Sequence, residues 1–237
     1  MNYRICVIST ARPHTVKNFN EIVGSLAKIA HWYVKPGEKE TYEKAGAKYV
    51  VEVEGGLMGA RNRALDDAFE KDECCVQISD DIEGLYTVAR QCGKNVRRQT
   101  DLATIINAID AHMFNFPQAH LFGFPPTANP FYSSGRFLFN KFIVGDLFIV
   151  KPSKLRFDPR LTLKEDYDYC LQHTREHGIT VRCEMFLAEF AHRTNKGGAV
   201  DYRTPEEEQK NIAYLKKKWG KVIKDNPRRD NEILLKI

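Results

Sequence analysis

Hydrophobic and polar positions alternate between two rhythms along this chain. Short apolar runs suit strands, and longer stretches with apolar residues three and four apart suit helices. The run YRICVIST (3–10) predicts a buried strand that ends in a Ser-Thr-Ala-Arg-Pro turn. Residues 15–30 set Phe19, Ile22, Val23 and Leu26 on one helical face, with Thr15 as a candidate cap. HWYVKPG (31–37) and AKYVVEVEGG (47–56) predict the second and third strands, the former cut off by Pro36 and Gly37. A helix follows over 59–72, with Ala60, Ala64, Leu65, Ala68 and Phe69 on one side, and then a fourth strand, CCVQIS (74–79). Residues 101–116 repeat the helical spacing through Leu102, Ile105, Ile106, Ile109 and Met113.

The second half is less regular. Residues 122–142 are rich in Pro, Ser, Gly and aromatics and predict long loops or a hairpin around Ser134-Gly135. Strand-like runs occupy 143–151 and 179–192, with a helix between them over 163–178. The last helix, 204–220, is well marked: Thr204 caps, Pro205 opens, Glu207 stands at the capping-box position and Gly220 closes. No repeat or low-complexity linker interrupts the pattern. It predicts one α/β domain, 1–237, built on a mainly parallel Rossmann-type sheet flanked by helices, with a C-terminal helix. Its parts are a first half to about 115, a second half over about 116–200 and a basic tail over 201–237.

Composition narrows the partners only slightly. Apolar residues make up 43% and charged residues 28%, ordinary for a globular protein. No apolar run is long enough to span a membrane, and the N-terminus lacks a basic-then-apolar leader, so a cytoplasmic protein is expected. The six cysteines form no C-x-x-C pair, which points to reduced thiols rather than a zinc site or disulfide frame. A net charge of +5 permits a nucleic-acid partner without requiring one.

The candidate chemistry sits at strand ends, where open α/β sheets bind ligands. Ser79 is followed by two adjacent carboxylates, Asp80 and Asp81. A divalent cation, Mg²⁺ or Mn²⁺, would offset their repulsion, and a turn-capping role is the plainer alternative. LKEDYD supplies a second cluster, Glu165, Asp166 and Asp168. A carboxylate opening a helix beside a crevice suits a general base, and first-turn acids also simply favour the helix dipole. His192 follows an apolar strand and is either structural or part of a metal site.

Taken in order, these segments resemble the GT-A class of nucleotide-sugar glycosyltransferases, over about residues 4–198. VISTARP resembles the loop that wraps the nucleotide, GLMGARNRALDDA the segment that contacts donor phosphate or ribose, and ISDDI the D-x-D-type metal motif. KEDYDYC resembles the acceptor-side x-E-D motif and AHRTNKGG the C-terminal histidine loop. STARP, ISDDI, KEDYD and HRTNKGG together also resemble the TET-associated glycosyltransferases, a mainly bacteriophage family that adds sugars to hydroxymethylated pyrimidines in DNA.

The resemblance implies a nucleoside-diphosphate-sugar donor, typically a UDP-sugar, and a divalent cation, Mn²⁺ or Mg²⁺. It implies that Asp81 and His192 hold the metal, and that Ser9, Thr10, Arg12, Lys35, Gly59, Arg61 and Asp80 face the donor. Asp166, or Glu165, would sit at the acceptor hydroxyl. Ser79 departs from the motif, which usually has an aspartate there. For a DNA acceptor, Arg97, Arg98, Lys217 and Lys218 are the named phosphate contacts, and Phe131, Tyr132 and Phe137 the stacking candidates. A glycan acceptor, a nucleotidyltransferase and a non-catalytic DNA-binding module are the competing readings.

Overall fold

The computed structural model describes residues 1–191 and 203–236. Four short apolar runs form the parallel half of the main sheet: β1 (Tyr3–Ile8), β2 (His31–Val34), β3 (Tyr49–Glu52) and β4 (Cys74–Ser79). The spatial order is β3-β2-β1-β4, all parallel. The sheet continues through β9 (Leu147–Val150), β7 (Leu121–Gly123), β10 (Val181–Cys183) and β8 (Phe137–Phe139). β9 runs antiparallel to both β4 and β7, so β7 and β10 run the same way as β4. The carboxyl ends of β1, β4 and β7 therefore lie along one edge.

Side chains alternate across the strands, and each face has its own helices. On one face Ile5, Val7, Trp32, Val76 and Ile78 pack with α1 (Thr15–Val23) and α4 (Leu102–Met113). On the other Cys6, Tyr33 and Cys75 pack with α3 (Gly56–Phe69) and α5 (Glu165–His177). A third cluster joins α5 to α6 (Pro205–Trp219) and to a small hairpin, β12 (Ile223–Asp225) and β13 (Ile233–Leu235). Thr204 caps α6 as expected, accepting from the Glu207 N–H at 3.2 Å. The side chain of Glu207 turns instead to Thr162 and Asn211, so the reciprocal half of the capping box is absent.

Several elements differ from the sequence expectation for local reasons. The helix expected over 15–30 stops at Gly24, whose φ of 68° breaks it, and a 3-10 stretch runs on to Ile29. Thr15 lies inside the helix, its hydroxyl donating to the Arg12 carbonyl at 2.8 Å, and His14 takes the cap position. Residues 82–99, assigned no element from sequence, form a hairpin of β5 (Ile82–Gln91) and β6 (Lys94–Gln99). Its turn is Cys92-Gly93, both at positive φ, as a tight hairpin turn requires. β11 (Phe186–Phe190) joins β5 to complete a second, three-stranded antiparallel sheet. The short helix α2 (Lys39–Lys44) was also unpredicted, and buries Tyr42. Among the described residues no helix is long and apolar enough to cross a membrane.

Away from the candidate site, α5 carries Tyr169, His173 and His177 at four-residue spacing. His173 is fully buried, and neither ring nitrogen has a partner among the described residues. Its neighbour His177 stacks on His120 at 4.0 Å. Burial, then the His177 and His120 rings, hold the His173 pKa down at about 3. The unfolded chain therefore takes up a proton that the fold excludes, and stability falls as pH drops below about 6.5. His173→Leu is expected to lose less melting temperature than wild type between about pH 7 and pH 5. Equal losses by circular dichroism would assign the acid sensitivity elsewhere.

Candidate functional site

The carboxyl ends of β1 and β4 are adjacent, and the turns that leave them meet. Ser9 and Arg12 come from the first turn, Asp80 and Asp81 from the second. The Ser9 hydroxyl hydrogen-bonds an Asp80 carboxylate oxygen, and Arg12 Nη1 lies 3.0 Å from the other. The same Nη1 is 3.6 Å from Asp81 Oδ2. The adjacent carboxylates thus face a built-in cation, and Arg12, expected to line a nucleotide pocket, is 7% exposed and held between them. Burial raises the Asp80 pKa to about 6, against the lowering by Ser9 and Arg12.

The first turn is held from behind by α2. Tyr42 reaches Ser9 Oγ at 2.5 Å and accepts from the Arg12 N–H at 3.0 Å. Glu38 accepts from the Ala11 N–H at 2.8 Å and lies 3.4 Å from Lys35 Nζ. Ala11 sits at φ 57°, unusual for a residue with a side chain, and these contacts fix it there. Thr10 Oγ1 donates to Glu38 at 3.5 Å. Thr10 and Lys35 therefore flank the crevice near one another, and Lys35 is exposed. Tyr42 and Glu38 escaped sequence reading because the six-residue helix beside them shows no clear apolar period.

α5 delivers the second acidic cluster to the same edge. Asp166 Oδ2 accepts from the Gly145 N–H at 3.1 Å. Glu165 is buried and pairs with Arg61 Nη2 at 3.0 Å. Arg61 also donates to the Gly145 carbonyl at 3.0 Å and to Gln77 Oε1 at 3.2 Å, while its guanidinium lies over Phe157. Arg61, expected to meet donor phosphate or sugar, instead ties β4, α3 and α5 together beneath the crevice. Gly145 is a spacing requirement: a Cβ there would come within 2.9 Å of Arg61 Nη2 and 3.3 Å of the Asp166 Cβ. Gly59 has a comparable origin, since a Cβ would meet the Glu54 carbonyl at 2.0 Å. Close packing of α3 on its own entry turn accounts for that glycine. Asp168 bonds Trp219 and Lys218 and belongs to the packing of α6.

Asp146 was missed in the sequence. It lies just before β9 and opposite Ser79: its carbonyl accepts from the Ser79 N–H at 2.8 Å, and its carboxylate from the Ser79 hydroxyl at 3.4 Å. A charged residue after glycine, opening the apolar run LFIV, is the signal that could have found it. A carboxylate therefore stands beside the position where the D-x-D-type motif has serine. Burial, then the charges of Glu165 and Asp146, raise the Asp166 pKa to about 7. Asp166 can thus exchange a proton near neutrality, as a general base must.

His192 lies outside the described residues. Ala191, just before it, donates its N–H to the Asp81 carbonyl at 2.9 Å, so the chain enters that segment beside Asp81. Among the described residues no three His, Cys, Asp or Glu side chains are grouped to hold a metal ion. The donor set still suits Mg²⁺ or Mn²⁺ in the form these ions often take, one or two carboxylates completed by substrate phosphate oxygens. Asp81 is the candidate carboxylate for that role, and it already lies 3.6 Å from Arg12 Nη1.

The candidate nucleic-acid contacts divide. Arg97 and Arg98 are exposed on β6, and Arg97 pairs with Glu189 at 2.9 Å. Lys217 is exposed, but Lys218 is tied to Asp158 and Asp168 at 2.8 and 2.7 Å and serves the seating of α6. Phe137 packs edge-on against His112 and Phe116, so of the three aromatics proposed to stack only Phe131 and Tyr132 are open to solvent.

No family model matches the chain, and no curated protein matches it by sequence. Solved structures do match. TarS from S. aureus, residues 1–349 in complex with UDP, superposes with a TM-score of 0.51 at 13% identity, over 91% of this chain and 66% of that 1–349 chain. A structure described as mannose-1-phosphate geranyltransferase from Thermus thermophilus gives a TM-score of 0.38 at 11% identity, over 79% of this chain and 57% of that one. The TarS likeness is one of architecture, and the architecture is GT-A-like: a mostly parallel central sheet flanked by helices, with a C-terminal helix.

Proposed function

We propose that this chain is a glycosyltransferase that moves a sugar from a nucleoside diphosphate to a hydroxyl. One observation carries the reading. Asp80 and Asp81 at the end of β4, and Asp166 at the start of α5, share one edge of a GT-A-like sheet, and Asp166 has a proton affinity near neutrality. UDP is the nucleotide favoured, because TarS, the neighbour of like fold, was solved with UDP.

Asp81, with His192, would hold a divalent cation, which when bound neutralises charge on the donor diphosphate. The chain's own groups do the rest. Ser9, Arg12 and Asp80 form a fixed wall at the nucleotide side. Asp166 takes the proton of the acceptor hydroxyl as that oxygen bonds to the anomeric carbon and the bond to the diphosphate breaks. The Gly145 N–H holds Asp166 Oδ2 and the Tyr167 N–H holds Oδ1, so the carboxylate is oriented before the acceptor arrives and offers its remaining lone pairs.

Thermal unfolding tests the donor site. UDP with Mn²⁺ is expected to raise the melting temperature of the wild type by several degrees, since ligand at a hundredfold excess over its Kd contributes about 2.7 kcal/mol. Asp81→Asn should keep little of that synergy. An unchanged melting temperature with every nucleotide tried would reduce Asp80 and Asp81 to a turn held by Arg12.

The acceptor is proposed to be hydroxymethylated pyrimidines in DNA, following the narrower sequence resemblance. Support comes from the exposed cations Arg90, Lys94, Arg97 and Arg98 of the β5–β6 hairpin. Mass spectrometry of nucleosides from treated hydroxymethylcytosine DNA should show the added hexose. Unmodified nucleosides across several donor sugars would remove the DNA acceptor and leave the broader class.

A further inference from the structure

The first turn of α5 carries Glu165 and Asp166, and no side-chain cap fixes its start. The N-cap residue is Lys164, in the left-handed region at φ 59° and ψ 26°. Ser, Thr, Asn and Asp are the usual caps, and a long side chain at positive φ is unfavourable. Backbone held against its preference beside reacting groups is kept there by its surroundings. Here the surroundings are α6 and the hairpin of β12 and β13.

The residues on both sides of the two carboxylates bond that C-terminal unit. Ahead of the helix, Asn211 Oδ1 on α6 accepts from the Thr162 N–H at 3.0 Å and from the Leu163 N–H at 3.2 Å. Lys164 Nζ pairs with Glu208 of α6 at 2.5 Å and donates to the Asn231 carbonyl at 2.8 Å. Past the carboxylates, the Tyr167 hydroxyl donates to the Ile233 carbonyl at 3.1 Å, and Trp219 Nε1 donates to Asp168 at 2.7 Å. Glu165 and Asp166, between these anchors, turn the other way, to Arg61 and to the Gly145 N–H.

The anchors are buried. Asn211 is 2% exposed, and the side chains of Lys164 and Glu208 are 11% exposed each. An ammonium withdrawn from water needs partners, and both that Lys164 has among the described residues come from the C-terminal unit. The donor wall is built differently: Ser9, Arg12 and Asp80 are held by one another and by Tyr42 of α2.

We infer that the C-terminal unit, residues 204–236, is part of the acceptor-side machinery: it seats the first turn of α5 and so sets where Asp166 stands, with Lys164 and Asn211 as positioning residues. This placement rests on the proposed transferase reading for its consequence, the rate at which the acceptor hydroxyl loses its proton. The seating itself stands apart from that reading. Packing alone would be met by the apolar contacts among Leu171, Ile212 and Leu215. It leaves unexplained why Asn211, Glu208 and Trp219 direct polar contacts to the residues that flank Asp166. A displacement of about 1 Å at a reacting group is enough to cost about a hundredfold in rate.

NMR of the full chain labelled with carboxyl-¹³C aspartate tests it, with the Asp166 signal assigned by its loss in Asp166→Asn. In the wild type Asp166, beside Glu165, Asp146 and Arg61, is expected to titrate at about 7. Asn211→Ala changes no charge and frees the Thr162 and Leu163 N–H groups. The turn should then open to water, and Asp166 should titrate about one pH unit or more lower, toward the ordinary carboxylate value. Lys164→Met should act in the same direction, whereas loss of a nearby cation by itself would act in the opposite one. Lys164→Arg, which can still pair with Glu208, should stay near wild type. Lys216→Ala, on the exposed face of α6, is the control and should match wild type. In sugar transfer, Asn211→Ala and Lys164→Met should each lose about tenfold to a hundredfold in kcat, while KM for the donor and stabilisation by UDP with Mn²⁺ are kept. An Asp166 titration that stays at its wild-type position in either folded variant would overturn the inference. The UDP melting experiment separates the two failures. A lowered titration without a UDP response in the wild type removes the transferase and keeps the seating. A UDP response with an unmoved titration removes the seating alone.

Discussion

Asp166→Asn is expected to lower the rate of sugar transfer by about 10²–10⁴-fold, the usual worth of a general base, while UDP with Mn²⁺ still stabilises the protein. Asparagine keeps one oxygen, enough for the Gly145 N–H, and gives up the bond that Asp166 Oδ1 accepts from the Tyr167 N–H at 2.9 Å. In the wild type, transfer should climb roughly tenfold per pH unit and level off above about pH 7, where Asp166 is ionised.

The same group makes a stability prediction of definite sign. Folding raises the Asp166 pKa above its ordinary value, so between about pH 4 and pH 7 the folded state holds a proton that the unfolded chain has released. The ionised carboxylate, close to Glu165 and Asp146, costs stability, and that cost is complete above about pH 7. Asp166→Asn should therefore melt a few degrees higher than wild type at alkaline pH and about level with it at acidic pH. An inactive variant with no such pH-dependent gain would mean that Asp166 ionises freely. Full activity in the variant would remove it from the chemistry.

Much of the sheet was legible because its strands are buried on both sides and read as continuous apolar runs. YRICVIST and CCVQIS could hardly be anything else once helices were recognised between them. What stayed hidden has identifiable causes. The hairpin of β5 and β6 is half exposed and carries Arg90, Lys94, Arg97 and Arg98, so no apolar rhythm marks it. The tail hairpin of β12 and β13 is three residues a strand, below the length at which a period can be seen.

For the site, the sequence indicated which residues share an edge but not which of them touch. Ser9, Arg12, Asp80 and Asp81 were all named, yet nothing in their spacing shows that Arg12 spans the two carboxylates. Asp146 is sixty-odd residues from Ser79, and only the antiparallel β4–β9 pairing joins them. Gln77 was the overlooked clue to Arg61. A polar side chain in the middle of an apolar strand must find partners within the fold, and its amide both accepts from and donates to that arginine residue.

Arg61→Met is expected to cost about 3–5 kcal/mol, because it leaves Glu165 as an uncompensated buried carboxylate. For a chain of this length, that corresponds to a melting temperature lower by roughly 6–20 °C. Methionine keeps an apolar stem but loses the guanidinium that lies over Phe157 and Phe148 at 5.2 and 5.8 Å, so the charge and its ring contacts go together. Adding Glu165→Gln removes the stranded charge and should restore a large part of the loss, whereas two independent contacts would give additive losses. The double variant also decides between the two roles for Arg61. If the guanidinium acts beneath the crevice, as its bonds to Glu165, Gln77 and Gly145 indicate, the double variant should still be stabilised by UDP with Mn²⁺. Its transfer rate should fall, because Gly145 and the start of α5 set the direction of Asp166. If instead the double variant regains stability but no longer responds to UDP, Arg61 reaches the donor after all, and the crevice must reorganise when the nucleotide binds.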